Sequence, residues 1–376
     1  MKFVFYTHSL VSDWNHGNAH FLRGVMRELI RYGHKAMALE PADAWSRRNL
    51  LASIGPAAVE RFADDFPDLT SRQYDARFDH EAALDDADVV IVHEWTDPTL
   101  VARVGRMRKQ GGEFTLFFHD THHRAVSSQG DIARLDLSGC DGVLAFGETL
   151  RQRYLRAGWG RQAFTWHEAA DDRLFRPQPD IVPTRDLIWI GNWGDDERTA
   201  EIGEYLIGPA RALRLRGTVR GVRYPESALA QLRHAGLDYG GWIANADVPR
   251  AFARHRVTMH IPRRPYVAGL PGIPTIRMFE ALACGIPLIS APWEDTEELF
   301  RPGRDFLFAH SGAEMTQLLR EVLEDEAQAT SLAASGLETI RSRHTCRHRV
   351  DELMAILANH GTARVRDAIA AREAAQ

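Results

Sequence analysis

The sequence predicts an α/β protein of two Rossmann-like, doubly wound domains, and three observations carry that reading. Short β-branched and aromatic runs alternate with segments of helical period along most of the chain. Pro177, Pro179 and Pro183 interrupt the alternation once, and it restarts behind them. The length, 376 residues, exceeds the about 250–300 at which a single core stops growing. The expected division is 1–176, 177–345 and a closing segment, 346–376.

Taken in order, Lys2 to Thr7 reads as a first strand, and Phe21, Leu22, Val25, Met26, Leu29 and Ile30 recur at helical spacing. Gly33 supplies a stop just past that helix, before a strand at Ala36 to Leu39. A helix near Leu50 to Phe66 is the only element expected between Trp45 and Asp79. Then come strands at Asp88 to His93, Phe114 to His119 and Gly142 to Phe146, with helices at Thr99 to Arg108 and Glu148 to Ala157. Runs this continuously apolar belong to parallel strands buried on both faces.

Behind the prolines, strands are expected at Asp186 to Ile190, Thr218 to Val222, Val257 to Ile261 and Pro287 to Ser290. Helices are expected at Ala200 to Leu213, Val248 to Ala253 and Ile276 to Cys284. The tail from His344 carries Val350, Leu353, Met354, Ile356 and Leu357 at helical spacing and reads as one or two closing helices, the last few residues frayed. Ligands of open α/β sheets collect beyond the carboxyl ends of the strands, so the expected site is a cleft across which the two domains face each other.

Composition narrows the function. With 46 Lys and Arg against 51 Asp and Glu, the net charge of −5 argues against a general nucleic-acid binder. No apolar stretch approaches the roughly 18 residues of a membrane span, and the N-terminus turns polar too soon for a secretory signal. Cys140, Cys284 and Cys346 form an odd set without a CxxC pair, which fits a reducing cytoplasm and no thiolate zinc site. Arg103, Arg106, Arg108 and Lys109 form a basic run that suits peripheral membrane contact less well than a solvated helix face.

The strongest chemical signal is the run from Gly272 to Pro287, GIPTIRMFEALACGIP. Thr275 is placed to cap a helix whose free N–H groups lie beside Gly272, Ile273 and Pro274, and small residues there let an anion approach the backbone. Arg277 and Glu280 share one face of that helix. They suit a cation beside a phosphate and a carboxylate on a ribose diol, or a plain ion pair on a buried helix. No GxxxxGK[ST] exists in the chain, and Ser9 to Gly17 lacks the GxGxxG of a nicotinamide-binding loop.

This run resembles the C-terminal signature of GT-B glycosyltransferases of the group 1, family 4-like type, with its EAxACGxP pattern. Pro274 to Ala281 (PTIRMFEA) and Phe117 to Arg124 (FFHDTHHR) are most similar to the CgeB-like branch. Gly17 and Asn18 stand in the place of the family's N-terminal glycine loop, His119-Asp120 in that of its histidine motif, and Asp171 to Pro177 resembles the run closing the first domain. The resemblance implies the GT-B fold and sugar transfer, of a hexosyl group with retention of configuration. It further implies a nucleotide-sugar donor, UDP-sugar favoured, held as substrate on the second domain, and an unidentified acceptor on the first, with no cofactor and no metal.

One departure stands out. The family carries two glutamates eight positions apart; Glu280 matches the second, and Gly272 replaces the first. Its basic pair after the first strand of the second domain is also altered, with Gly191-Asn192-Trp193-Gly194 and then Arg198, so Arg198 is the candidate phosphate cation and Arg263 and Arg264 its rivals.

In the first domain, His119, Asp120, His122 and His123 crowd three imidazoles and a carboxylate into five residues, without the spacing of a known metal motif. His119 ends a strand and reads as a sugar-facing histidine or as a hydrogen-bonded core residue, with Asp120 able to fix its tautomer. Glu94 follows another strand, where a carboxylate can activate an acceptor hydroxyl or cap the next helix. Trp14, Trp95, Trp193, Trp242 and Trp293 lie near expected loops and suit stacking or packing. A sugar-nucleotide epimerase or hydrolase of the same fold, and a noncatalytic assembly or coat protein retaining it, are the alternatives to a glycosyltransferase.

Overall fold

The computed structural model describes residues 1–374, so the end of the tail expected to fray, residues 375–376, lies outside the described residues. The chain divides into two units, 1–168 with 346–376, and 169–345. The first boundary therefore falls at Glu168, ahead of the expected 176, and the closing helices belong with the first unit. The reason is local. Trp166 donates its indole N–H to the Arg349 carbonyl at 2.8 Å, whereas Ala170 already bridges to Thr345 in the second unit.

The first unit is a seven-stranded sheet of β1 (Lys2–Tyr6), β2 (Lys35–Pro41), β3 (Ser71–Tyr74), β4 (Val89–His93), β5 (Thr115–Asp120), β6 (Gly142–Ala145) and β7 (Ala163–Thr165). Its spatial order is β3-β2-β1-β4-β5-β6-β7, and every pairing is parallel. Every residue of β4 and β5 is buried, as the apolar runs Val89 to Val92 and Leu116 to Phe118 require of central strands covered on both faces. The helix Ala19–Arg31 packs Phe21, Leu22, Val25, Met26 and Leu29 inward and stops where Gly33, at φ +78°, lets the His34 N–H return to the Leu29 carbonyl at 2.9 Å.

The helix expected near Leu50 to Phe66 is two, Trp45–Ser53 and Pro56–Asp65, because Gly55 at φ +108° and Pro56 break the hydrogen-bond ladder. The edge strands β3 and β7 are short and half polar, too weak a pattern to read as strands from the sequence.

The second unit is a six-stranded parallel sheet of β8 (Arg185–Ile190), β9 (Gly217–Arg220), β10 (Leu237–Tyr239), β11 (His255–His260), β12 (Leu288–Ser290) and β13 (Leu307–Phe308). Its order is β10-β9-β8-β11-β12-β13. Leu187, Trp189, Val219, Val257, Met259 and Ile289 carry the sheet's side of a core that Ile202, Leu206, Met315 and Leu319 close from the helices. The single helix expected over Ala200 to Leu213 runs as Thr199–Ile202, a π turn Gly203–Ile207, and Gly208–Leu213. Pro209 has no N–H to continue an α ladder, and the wider turn absorbs the break.

Candidate active site

In the second unit, the carboxyl ends of β8 and β11 gather guanidinium groups. The loop behind β8 turns at Gly194, φ +95°, where a Cβ would stand 2.5 Å from the Arg198 side chain. Arg198 is thereby folded back under the loop, with its guanidinium over the Trp189 ring at 5.1 Å. It donates to the Ile261 carbonyl at 3.1 Å and to the Asn192 carbonyl and Oδ1 at 2.8 and 2.7 Å. Arg263 donates to the same Asn192 Oδ1 at 2.9 Å and pairs with Glu197. Burial, then Arg263, and with a smaller effect Arg277, pull Arg198 down to about 10, and its Nε finds no partner among the described residues. Arg264, by contrast, is half exposed and pairs with Glu201 at 2.9 Å, outside this cluster.

The helix carrying the signature spans Ile276–Ala283. Thr275 holds the N-cap position, but its hydroxyl makes no capping bond, contrary to the expectation from sequence. Arg277 pairs with Glu280 one turn on, and Glu280 is fully buried, so the ion pair that sequence left as the plain alternative is formed. Ile273 and Pro274 are buried, and the Gly272 and Ile273 N–H groups already donate to the Glu294 and Leu270 carbonyls at 2.7 and 3.2 Å. Gly272 takes φ +88°, and a Cβ there would lie 2.5 Å from Thr296 Oγ1 and 3.0 Å from Glu297 Oε1. The small residue is thus required by a neighbouring loop, and a carboxylate stands where an open anion cradle was expected.

In the first unit, β4 and β5 end side by side, His93 in register with His119. His119 is buried against Trp166 (4.8 Å), His93 (5.7 Å) and Phe21 (6.0 Å). Burial alone drops it to about 3, and its Nε2 has no partner among the described residues. The imidazole is neutral at physiological pH. Asp120 does not fix the His119 tautomer. Its carboxylate accepts the Tyr154 hydroxyl at 2.7 Å and the His122 N–H at 3.0 Å.

Glu94 is 1% exposed and accepts the Thr121 N–H at 2.9 Å, so it does not cap the following helix; Asp97 does, accepting from the Thr99 N–H. Burial first, and then the neighbouring Asp120, hold the Glu94 carboxyl well above the usual carboxylate range, and burial raises Asp120 too. Two carboxyls this close, both out of water, retain a proton in common. Asn18, at the start of the first helix, donates to His93 Nε2 at 2.9 Å, and Gly17 beside it is exposed. Among the described residues no group of three or more His, Cys, Asp or Glu is placed to hold a metal ion. His123 is 3% exposed, with Nδ1 on Ser127 Oγ at 2.8 Å.

The structure therefore brings His119, Asp120, Glu94 and Asn18 together in one unit and Arg198, Arg263, Arg277 and Glu280 in the other. Sequence reasoning missed His16, His93 and His260. His16 packs on His93 at 6.1 Å. His260 ends β11 with Nδ1 on Ser290 Oγ at 2.8 Å, and burial followed by Arg198 lowers it to about 3. The signal was present, since His93 and His260 each end a strand and His119 stands one residue from the end of its own.

Two parallel-sheet units of Rossmann type, each with polar side chains converging at the carboxyl ends of its strands, define the GT-B fold. Residues 198–355 match the family described as glycosyl transferase-like. Among solved structures, HepE of Anabaena in complex with UDP and glucose aligns at 14% identity and a TM-score of 0.67, over 96% of this chain and 100% of that one. Sucrose-phosphate synthase from Thermosynechococcus elongatus aligns at 12% identity and 0.66, over 95% and 98%. An α-glucosyltransferase in complex with UDP and a 13-mer DNA aligns at 10% and 0.66, over 96% and 100%. Likeness at such identity shows the fold. No curated protein matches the chain.

Proposed function

We propose that the protein is a glycosyltransferase that moves a hexosyl group from a UDP-sugar to an acceptor hydroxyl without a metal ion and with retention of configuration. The observation that carries this reading is the cluster of Arg198, Arg263 and Arg277 in the unit 169–345. A half-buried cation held against two others is tolerated where an anion completes the site, and a diphosphate leaving group is such an anion. In the transfer, the acceptor oxygen bonds to the anomeric carbon as the anomeric C–O bond to the diphosphate breaks. The hydroxyl proton passes to the departing phosphate oxygen. Preorganised donors aimed at that growing negative charge are the largest available contribution to rate.

UDP is the favoured nucleotide because HepE and the DNA-bound glucosyltransferase are each described with UDP. Glu280 is the candidate for the ribose and the helix start at Thr275 the candidate for the phosphates, because the Gly272 and Ile273 N–H groups already donate to the Glu294 and Leu270 carbonyls and Pro274 has none. In the first unit, neutral His119 is the candidate to steady charge at the sugar ring, with Glu94 accepting from and orienting the acceptor hydroxyl. The CgeB-like branch and a cytoplasmic setting complete the reading, the first resting on PTIRMFEA and FFHDTHHR, the second on three free, buried cysteines.

A thermal-shift screen against UDP, GDP, ADP and their sugars tests it, since a ligand at 100 times its Kd stabilises by about 2.7 kcal/mol. UDP should shift the melt, and UDP-glucose or another UDP-hexose should release UDP on incubation. A shift without turnover under any acceptor would favour a noncatalytic protein. No shift with any nucleotide would sink the proposal.

A further inference from the structure

We propose that a pocket in the first unit, floored by Glu94 and Thr96 and flanked by Trp95, takes a neutral saccharide, so that the acceptor is a carbohydrate hydroxyl. The inference rests on the glycosyltransferase reading for the transfer and on the pocket's own chemistry for the ligand class. The pocket has a volume of about 680 Å³ and opens beyond the carboxyl ends of β2, β3 and β4, where open α/β sheets bind ligands. Sites for small organic ligands run to about 300–1,000 Å³.

Three features select the ligand. Trp95 is 44% exposed, an uncommon setting for so large a ring, and it is held in place by the Arg124 guanidinium 4.0 Å from its centroid and by the His122 ring edge-on at 5.2 Å. Arg124 is itself fixed by donating to the Glu94 carbonyl, so the ring is a preset platform. The C–H face of a pyranose carries positive partial charge and stacks on such a π-face. Next, Thr96 lines the pocket, and its hydroxyl is buried with no hydrogen-bond partner among the described residues. Buried polar groups in native proteins have partners, so a ligand hydroxyl is a natural one.

The third feature is charge. Asp43, Asp75 and Asp131 line the walls beside Arg103 and Arg134. Carboxylates and guanidiniums together in the lining of one pocket suit hydroxyls, which both donate and accept. They do not suit a nucleic acid, whose phosphates would meet the aspartates, in a chain whose net charge is −5. Nor is there a long apolar wall for an acyl chain. Glu94 lies at the pocket floor next to Asp120, which places the bound saccharide beside the groups assigned above to the reacting hydroxyl.

Saturation-transfer NMR on the whole protein tests the assignment, with maltose, cellobiose, lactose and diacetylchitobiose as probes and a 13-nucleotide single-stranded DNA and phosphatidylglycerol vesicles as competitors. At least one disaccharide should receive saturation. Trp95→Ala should weaken it tenfold or more, Thr96→Val should weaken it severalfold, and both variants should keep the wild-type thermal shift with UDP. The same disaccharide should speed UDP release from a UDP-hexose. Absence of saturation transfer to all four sugars overturns the proposal, as does equal binding by Trp95→Ala or displacement by the DNA or the vesicles. A wild-type protein that binds a disaccharide through Trp95 yet ignores UDP would leave the pocket standing and sink the glycosyltransferase reading instead.

Discussion

Arg277 and Glu280 form an ion pair across one turn of the helix Ile276–Ala283, with the carboxylate wholly buried and the guanidinium partly exposed. The pair ties the proposed diphosphate cation to the proposed ribose carboxylate. Glu280→Gln should therefore act twice. Nucleotide affinity should fall about tenfold, the worth of one charged hydrogen bond. The melt should also drop, because removing one partner of a buried pair costs about 3–5 kcal/mol. Calorimetric titration with UDP alongside thermal unfolding checks both. A lower melt with unchanged UDP affinity would leave Glu280 as a structural ion-pair residue.

Much of the fold was legible because central parallel strands must be apolar on both faces. Val89 to His93 and Thr115 to Asp120 announce themselves as uninterrupted runs, and Gly33 marks its helix end through a backbone angle that other residues avoid. Ser71–Tyr74 did not, since an edge strand is paired on one side only and its sequence can stay polar. The site was legible one residue at a time and illegible as a set. That Arg198 and Arg263 meet on Asn192 depends on a glycine turn and a crossover 71 residues long in sequence separation, and nothing local encodes it. Gly272 looked like space for an anion because Thr296 and Glu297, which fill that space, are distant in the chain.

Chelation should leave the enzyme active. The proposed diphosphate site offers guanidiniums and backbone N–H groups, whereas Mg²⁺ would need oxygen ligands beside the phosphates. In the first unit Asp120 is engaged by Tyr154 and His123 by Ser127. Turnover in EDTA should match the untreated rate. Loss restored by Mn²⁺ or Zn²⁺ would refute metal independence and return attention to the histidines.

His119 touches Trp166, Phe21 and His93, and its neutral ring is the candidate to steady charge at the sugar. His119→Ala should lower kcat by on the order of tenfold or more with the Kd for UDP unchanged, the pattern of a group acting only in the transition state. His119→Gln keeps more of the volume and should melt higher than the alanine variant while remaining slow. Wild-type kcat in either would make His119 a core residue. Lost UDP binding would show that the donor had been assigned to the wrong unit.

Acid should unfold the protein through its buried imidazoles. Burial holds His8 at about 4 and His119 and His260 at about 3, and pushes His16 and His93 well below the ordinary value. The folded state keeps these rings neutral, whereas the unfolded chain protonates them below about 6.5. The unfolded state thus binds more protons from there down to the folded values of 3 to 4, so stability is full above pH 6.5 and drains as pH falls. Each histidine contributes about 2 kcal/mol of loss between pH 7 and 5, and several together rival the about 5–15 kcal/mol of a whole domain. Glu94 and Asp120 act the other way, because their raised values favour the folded state at low pH, but one carboxyl pair is outnumbered by five imidazoles. The Tm should fall by about ten degrees or more between pH 7 and pH 5 in a scanning melt. His260→Gln, which removes one such ring from the second unit, should flatten that dependence. A Tm that stays level across the range would mean that these histidines are hydrated and free to take up protons while folded.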